Sequence, residues 1–275
     1  PLMEENTPEA IITNVYGTKN LADLSVVHKV SRFVMVSTDK AVNPSNVMGA
    51  SKRAAEMFVQ SRNFYTNSEG KSCKTKFITT RFGNVLGSNG SVVPLFKKQI
   101  EKGGPITITH PDIIRYFMTI PEACQLVLEA GAMGKGGEIF IFDMGEPVKI
   151  MDLAIKMIKL AGFVPTKDIE IKITGLRPGE KLYEELISDT SKALSTHHDK
   201  IMIGKDLTKD FNFVEEKVIK IIEAALRYDD RDLVRKLKNL VPEFISKNSE
   251  YENLDENIDF RSKKEYSKQA EHHNQ

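Results

Sequence analysis

Phe33-Val34-Met35-Val36-Ser37-Thr38-Asp39-Lys40-Ala41-Val42-Asn43-Pro44 changes within one short span from continuous apolar residues to a polar, proline-bearing run. An apolar stretch this short, without alternation, suits a strand covered on both faces, the kind found inside parallel sheets. The run from Thr38 to Val47 predicts a loop, and the residues after it predict a helix over roughly Met48 to Tyr65. Upstream, Thr7 can cap a helix with Pro8 and Glu9 in its first turn. Ile11, Ile12, Val15, Leu21, Leu24 and Val27 carry that helix to about Lys29. Downstream, Lys76-Phe77-Ile78-Thr79-Thr80-Arg81 reads as a second strand. Alternation of helix and strand predicts the α/β class with a doubly wound parallel sheet.

Past Arg81 the pattern loosens into a Gly/Ser/Asn loop, Gly83 to Gly90, and then a helix near Pro94 to Lys102. Short strands are predicted at Ile106 to Thr109 and Arg115 to Thr119, with a helix from Pro121 to Ala132. Glu138 to Asp143 reads as a further sheet strand, Ile150 to Ala161 as a helix, Ile169 to Ile173 as a strand, and a helix is expected to begin near Glu180. Late helices are predicted at Val214 to Tyr228 and Asp230 to Leu240. These elements divide the chain into a sheet domain over 1–93 and a smaller α/β domain over 94–245, with 138–161 able to return to the sheet. Residues 246–275, rich in Asn, Lys, Glu, Ser and Gln, predict a disordered tail.

The 275 residues carry 39 Lys and Arg against 38 Asp and Glu, a net charge of +1, which excludes a strongly basic nucleic-acid binder. No stretch approaches the ~18 apolar residues that cross a bilayer, and the first residues lack the pattern of a secretory signal. Cys73 and Cys124 lack metal-ligand spacing, so reduced thiols in a cytoplasmic protein are expected. His197-His198 has no acid or thiol at ligand spacing, so no metal is expected. Lys97-Lys98 and the Arg235-Lys236-Lys238 group read as solvated helix faces, and Met151, Met157 and Ile158 as core.

Ser37-Thr38-Asp39-Lys40 stands at the carboxyl end of the first predicted strand, where open α/β sheets place their ligands. A solvated turn with an N-cap aspartate would also account for Ser-Thr-Asp taken alone. Lys52 follows Met48 by four residues, so the two share one face of the helix.

The chain resembles the nucleotide-sugar 4,6-dehydratases of bacterial polysaccharide and glycan biosynthesis, a CapD-like group of the extended short-chain dehydrogenase/reductase superfamily. The resemblance rests on Ser37-Thr38-Asp39-Lys40-Ala41-Val42-Asn43-Pro44, Asn46-Val47-Met48-Gly49-Ala50-Ser51-Lys52-Arg53 and Arg81-Phe82-Gly83-Asn84-Val85-Leu86-Gly87-Ser88. It extends to His110-Pro111-Asp112, Arg115-Tyr116-Phe117-Met118-Thr119 and Leu176-Arg177-Pro178-Gly179-Glu180-Lys181. The wider superfamily has a tyrosine where Met48 stands. A methionine there matches the long, usually inner-membrane-anchored members, which resemble UDP-N-acetylglucosamine 4,6-dehydratases retaining the C5 configuration.

The resemblance implies a Rossmann-type sheet, NAD as cofactor and a UDP-sugar as substrate, turned into a 4-keto-6-deoxy sugar nucleotide. It implies that Thr38 binds the C4 oxygen, Asp39 protonates the leaving C6 hydroxyl, Lys40 takes the C5 proton and Met48 occupies the tyrosine position. A lysine acting as a base must be neutral part of the time, which partial burial and the Lys52 ammonium would favour. Lys52 and Ser37 would meet the cofactor. Asn84, Val85 and Ser91 would meet the sugar diphosphate, Arg115 and Arg177 would pair with its oxygens, and Glu180 would accept from the ribose. The glycine-rich turn that grips the NAD pyrophosphate has no counterpart here. On the resemblance the chain begins after that element, so residues 1–93 are expected to be the C-terminal half of the NAD-binding domain. Weak NAD binding is then expected, with a missing N-terminal half or a second copy as partner. A nucleotide-sugar 4-epimerase and an inactive sugar-nucleotide-binding fragment are the alternatives.

Overall fold

Arg32–Val36 forms strand β1 and Lys76–Arg81 forms β2, paired in parallel with Phe33 opposite Phe77. The computed structural model describes residues 2–65, 72–187, 193–204 and 209–255. Ahead of β1 lie α1 (Leu2–Glu5), α2 (Thr7–Ile11), a π-helical turn (Ile12–Tyr16) and α3 (Gly17–Val27). The helix expected to run unbroken from Thr7 is therefore interrupted. Its wider turn holds Asn14 against α4 (Val47–Asn63), where the Asn14 amide donates to Ser51 Oγ at 2.9 Å. Thr7 is the first helical residue and not its cap, and its hydroxyl donates to Asp230.

After β2 come β3 (Asn84–Val85), α5 (Val92–Glu101), β4 (Ile106–Ile108), β5 (Ile114–Arg115), β6 (Phe117–Met118) and α6 (Ile120–Met133). Next are β7 (Ile139–Phe142), β8 (Val148–Lys149), α7 (Ile150–Leu160), β9 (Ile171–Ile173), β10 (Ala193–Ser195) and β11 (Ile201–Gly204). Two helices, α8 (Phe211–Leu226) and α9 (Asp230–Leu240), and a 3₁₀ turn (Glu252–Leu254) follow.

The main sheet has the order β1-β2-β7-β11-β10, parallel through β7, with β11 and β10 antiparallel. Residues of β7 thus return to the sheet beside β2. One face is covered by α4, α8 and α9 around Phe58, Phe77 and Phe211, and the other by α6 around Ile78, Phe140 and Phe142. A separate cluster of Phe96, Ile106, Ile108, Ile150 and Ile158 joins α5, α7, β4 and β9.

Other sequence expectations change as well. β1 was read as covered on both faces, but it lies at one end of the described sheet order and Val36 is 47% exposed. Leu21, Leu24 and Val27, counted toward the apolar face of the first helix, are exposed as well. The strand expected over Arg115 to Thr119 splits, because β5 pairs with β8 while β6 pairs with β3. No helix starts near Glu180: the Arg115 guanidinium takes the Lys181 and Leu182 carbonyls and the Ile114 amide takes the latter too, so these groups are bonded sideways.

The first ten residues of the expected tail are packed. Tyr251 and Leu254 are buried, the Lys238 ammonium donates to Ser246 Oγ and Asp255, and Ser249 Oγ donates to Glu4 at 2.8 Å. A few apolar side chains, too few to show periodicity, combine here with side-chain bonds to distant partners. Residues 256–275 lie outside the described residues. Leu254→Ala is expected to lower the unfolding free energy by about 2 kcal/mol in a urea titration, the low end for a buried leucine. An unchanged midpoint would show that the segment carries no stability.

Candidate active site

At the end of β1 the pairing with β2 continues past the strand, with the Ser37 amide donating to Thr80 O at 2.7 Å and the Asp39 amide to Phe82 O at 3.1 Å. Thr38 is extended, and its hydroxyl oxygen accepts from the Lys40 amide to open a 3₁₀ turn over Asp39–Ala41. Asn46 caps α4 by accepting from the Gly49 amide at 2.8 Å. A Cβ on Gly49 would sit 2.2 Å from the Lys40 carbonyl oxygen, so only glycine lets the first turn of α4 approach the Asp39–Ala41 turn this closely.

Thr38, Asp39 and Lys40 converge. The Thr38 hydroxyl and the Lys40 ammonium both donate to Asp39 Oδ1 at 2.8 Å, and Lys40 Nζ also lies 3.4 Å from Asn84 Oδ1. Asp39 is fully buried and Lys40 half-buried. The other oxygen, Asp39 Oδ2, is buried and has no hydrogen-bond partner in the protein. It lies against Gly83, where an added Cβ would come within 3.1 Å of it. Such an atom is costly to leave unpaired, by roughly 1–3 kcal/mol.

Lys52 reaches the same end of the sheet, donating to Val36 O at 3.3 Å. Burial pushes its ammonium toward the neutral form, and the Glu56 carboxylate opposes this. Met48 lies one turn earlier on α4, half-buried. Glu56 is fully buried; burial alone would raise its carboxyl, but Arg81, bonded at 2.7 and 2.5 Å, and Arg53 at 3.2 Å hold it below the usual range. That network pins α4 to β2 beneath the site.

The remaining expected site residues separate. Asn84 joins Lys40, and Val85 follows it in β3, whereas Ser91 precedes α5 with a buried hydroxyl that has no partner in the protein. Arg115, expected at a diphosphate, instead donates to the carbonyls of Ile114, Lys181 and Leu182 and lies 3.5 Å from Glu180 and 3.8 Å from Glu184. Glu180, expected at a ribose, accepts from Thr109 Oγ1 and from the Arg177 amide. Arg177 is exposed.

The Arg177-Pro178-Gly179-Glu180 turn is clamped to the loop that carries Ser45 and Asn46. Ser45 Oγ and Asn46 Nδ2 both donate to Gly179 O, at 2.7 and 2.9 Å. Gly179 has φ +71°, and a Cβ there would overlap Asn46 Cβ. Sequence reading missed Glu184, a buried carboxylate beside this turn; the Leu-Tyr-Glu-Glu run offered no signal apart from its position after the turn.

Two cavities lie elsewhere, and none of these residues lines them. One of about 810 Å³ lies between α6 and the β10–β11 connection, where His197 Nε2 is 3.4 Å from Glu129. The second, of about 510 Å³, adjoins Tyr65 and Lys209. Among the described residues no group of three or more His, Cys, Asp or Glu gathers as metal ligands. Cys73 and Cys124 are free thiols, and no described helix is long and apolar enough to cross a membrane.

Residues 1–206 match the model of a family described as polysaccharide biosynthesis protein. Over 233 residues the chain is 56% identical to the capsular polysaccharide biosynthesis protein CapD of Staphylococcus aureus, covering 80% of this chain and 38% of CapD. The chain thus spans a little over a third of the length of that relative. It is 35% identical over 238 residues to a UDP-glucose 4-epimerase of Rickettsia bellii, covering 85% of this chain and 67% of the epimerase. A dTDP-glucose 4,6-dehydratase from Streptomyces venezuelae, solved with NAD bound, shares the fold at TM-score 0.55 and 21% identity, over 64% of this chain and 57% of that one.

Glu56→Gln should lower stability by about 3 kcal/mol in urea at pH 7, because it removes the carboxylate charge bonded to the buried Arg81. The folded carboxyl is depressed, so its contribution is present above the ordinary glutamate range and lost as pH falls through the folded value. The gap between wild type and variant should therefore close in acid. A gap independent of pH would remove the charge from the explanation.

Proposed function

The chain belongs to the polysaccharide biosynthesis protein family, and on that footing we propose that its Thr38–Lys40 turn dehydrates a UDP-sugar, UDP-N-acetylglucosamine or a near relative, to a 4-keto-6-deoxy sugar nucleotide. One observation carries the reading: a hydroxyl and an amine meet on one oxygen of a fully buried carboxylate whose second oxygen has no partner in the protein.

The residues present fit NAD at its nicotinamide-ribose end, where Lys52 extends to the end of β1 beside Ser37. NAD, when bound, supplies the acceptor for the C4 hydride and its return to C6. The Thr38 hydroxyl, already donating to Asp39 Oδ1, provides the route by which the C4 hydroxyl proton reaches Asp39. Asp39 then holds the proton that the departing C6 oxygen needs. The C4 ketone acidifies C5–H, Lys40 in its neutral amine form takes that proton, Asp39 gives its proton to the C6 oxygen, and water leaves across C5 and C6. Once C6 has been reduced, Lys40 returns a proton to C5, so acid and base are both restored. Arg177, exposed at the edge of the clamped turn, is available to the diphosphate.

Epimerisation at C4 is the competing reading, supported by the identity to the Rickettsia enzyme. It has no use for an acid at C6 or a base at C5, and so leaves Asp39-Lys40 without a task.

Incubating the protein with UDP-N-acetylglucosamine and NAD in large excess is expected to give, slowly, a product absorbing in alkali as a 4-keto-6-deoxy sugar does. A C4-inverted sugar would support the epimerase, and unchanged substrate would count against both. Lys40→Ala should slow exchange of the C5 proton with solvent deuterium by at least about a hundredfold. Exchange at the wild-type rate would take Lys40 out of the reaction.

A further inference from the structure

Beyond the ends of β1 and β2 the two segments stay in step, and side chains take over the pairing from the backbone. The Asp39 amide donates to Phe82 O at 3.1 Å, Gly83 lies against Asp39 Oδ2, and Lys40 Nζ donates to Asn84 Oδ1 at 3.4 Å. Asn84 is half-buried and opens β3, which pairs with β6. Its backbone amide donates to Tyr116 O at 3.2 Å, and its side-chain Nδ2 donates to the same carbonyl at 3.1 Å. These partners decide which way the side-chain amide points. An ammonium carries donors alone and a backbone carbonyl only accepts, so Oδ1 toward Lys40 with Nδ2 toward Tyr116 O is the one orientation in which neither end meets its own kind.

Closing β3 onto β6 is the simpler explanation for an asparagine here. The backbone amide of Asn84 already makes that connection, and the pairing asks nothing of Oδ1. The resemblance implies a different task, contact with the sugar diphosphate. A phosphate oxygen needs a donor, whereas the end of the side chain that faces the Asp39–Ala41 turn is an acceptor, and the bond it accepts comes from Lys40. The bond from Nδ2 to Tyr116 O keeps that acceptor from turning away.

We propose that Asn84 is a positioning residue for Lys40, its side-chain carbonyl fixing the direction from which the amine meets C5–H. This rests on the dehydratase reading. A neutral amine nitrogen is tetrahedral, with its stem, two N–H bonds and one lone pair. Asp39 Oδ1 and Asn84 Oδ1 take the two N–H bonds, which leaves the lone pair a single direction. In the reaction that lone pair forms a bond to the C5 proton, the C5–H electrons become the C5–C6 double bond, and the C6 oxygen leaves as water with the proton from Asp39. Uptake of a proton by Asp39 earlier in the cycle weakens its hold on the amine. The Asn84 amide has no proton to gain or lose, so its hold is the same at every stage. A lysine stem is flexible, and a displacement of about 1 Å at a reacting atom costs on the order of a hundredfold in rate.

Two measurements test this on the full chain. In the first, without substrate, NMR relaxation of the ε-carbons in ¹³C-lysine-labelled protein follows Lys40, identified by the resonance lost in Lys40→Ala. Its order parameter should exceed that of an exposed lysine such as Lys97 and fall in Asn84→Ala. An order parameter unchanged by Asn84→Ala overturns the proposal. In the second, with UDP-N-acetylglucosamine and NAD in large excess, Asn84→Ala should slow exchange of the C5 proton with solvent deuterium on the order of tenfold and lower kcat, with KM within about twofold. Asn84→Asp keeps the shape of the side chain but offers Tyr116 O no donor, so it should be slowed as well. Exchange at the wild-type rate in either variant overturns the proposal, and a raised KM at that rate would return Asn84 to the diphosphate. If the wild type forms no keto sugar, the dehydratase reading fails on its own account, and the relaxation result alone decides whether Asn84 holds Lys40.

Discussion

A loop that joins a strand to a helix brings backbone polar groups that neither element can satisfy, and when it is buried those groups must find partners elsewhere. The loop over residues 42–47 imposes that requirement on the whole chain. Lys181 takes Val42 O, the Ile245 amide takes Pro44 O, the Lys247 amide takes Ser45 O, and Glu4 accepts from the Val47 amide at 2.8 Å. Ser45 Oγ and Asn46 Nδ2 close on Gly179 O. Segments from both ends of the described chain and from its middle are held together at one turn. Thr38–Lys40 can be placed accurately because the residues that follow it are bonded from three directions. Glu4 illustrates the economy of this, since its second oxygen accepts from Ser249 and so joins the N-terminal helix to the C-terminal segment through the same loop.

The elements legible in the sequence were those whose burial shows as local periodicity. β2 occupies the residues expected of it, α4 falls within a residue or two of its predicted bounds, and Thr38, Asp39 and Lys40 follow the carboxyl end of a parallel strand. The failures are of another kind. Nothing local in Glu180-Lys181-Leu182 says that Arg115, far away in the chain, will claim its carbonyls, and nothing in Ser246 to Asp255 says that Glu4 and Lys238 will anchor it. The β10–β11 hairpin was missed because Ile201 to Gly204 is four residues long and gains its place only by pairing with β7. Contacts distant in sequence leave no period behind them.

The same limit applies to charge. Arg115 is expected to be a phosphate ligand from its guanidinium and Glu180 a ribose acceptor from the resemblance, and in the structure each is bonded to protein. Two buried ionic groups stand on either side of the Asp39–Ala41 turn. Below it, Glu56 is bonded by Arg81 and Arg53, so its charge is matched and its task is to hold α4 on the sheet. Above it, Glu184 is buried with the Arg115 guanidinium no closer than 3.8 Å. A saturated carboxylate has nothing left to offer a reaction, whereas an under-bonded one retains the capacity to respond when a neighbour changes charge.

The same contrast bears on Asp39. In a loop where remote segments supply partners for carbonyls and amides alike, leaving one carboxylate oxygen buried and unbonded is an exception that costs about as much as several surface interactions contribute. The means to satisfy it lie close by, since Gly83 presses against that oxygen and a different loop conformation there could direct a donor at it. The fold instead directs two donors at Oδ1 and none at Oδ2. Unpaired buried atoms persist where a ligand completes them. The open oxygen also lies on the one carboxylate that already holds both the hydroxyl and the amine, so under the proposed dehydration a group that completes it arrives where a proton can be taken and another given.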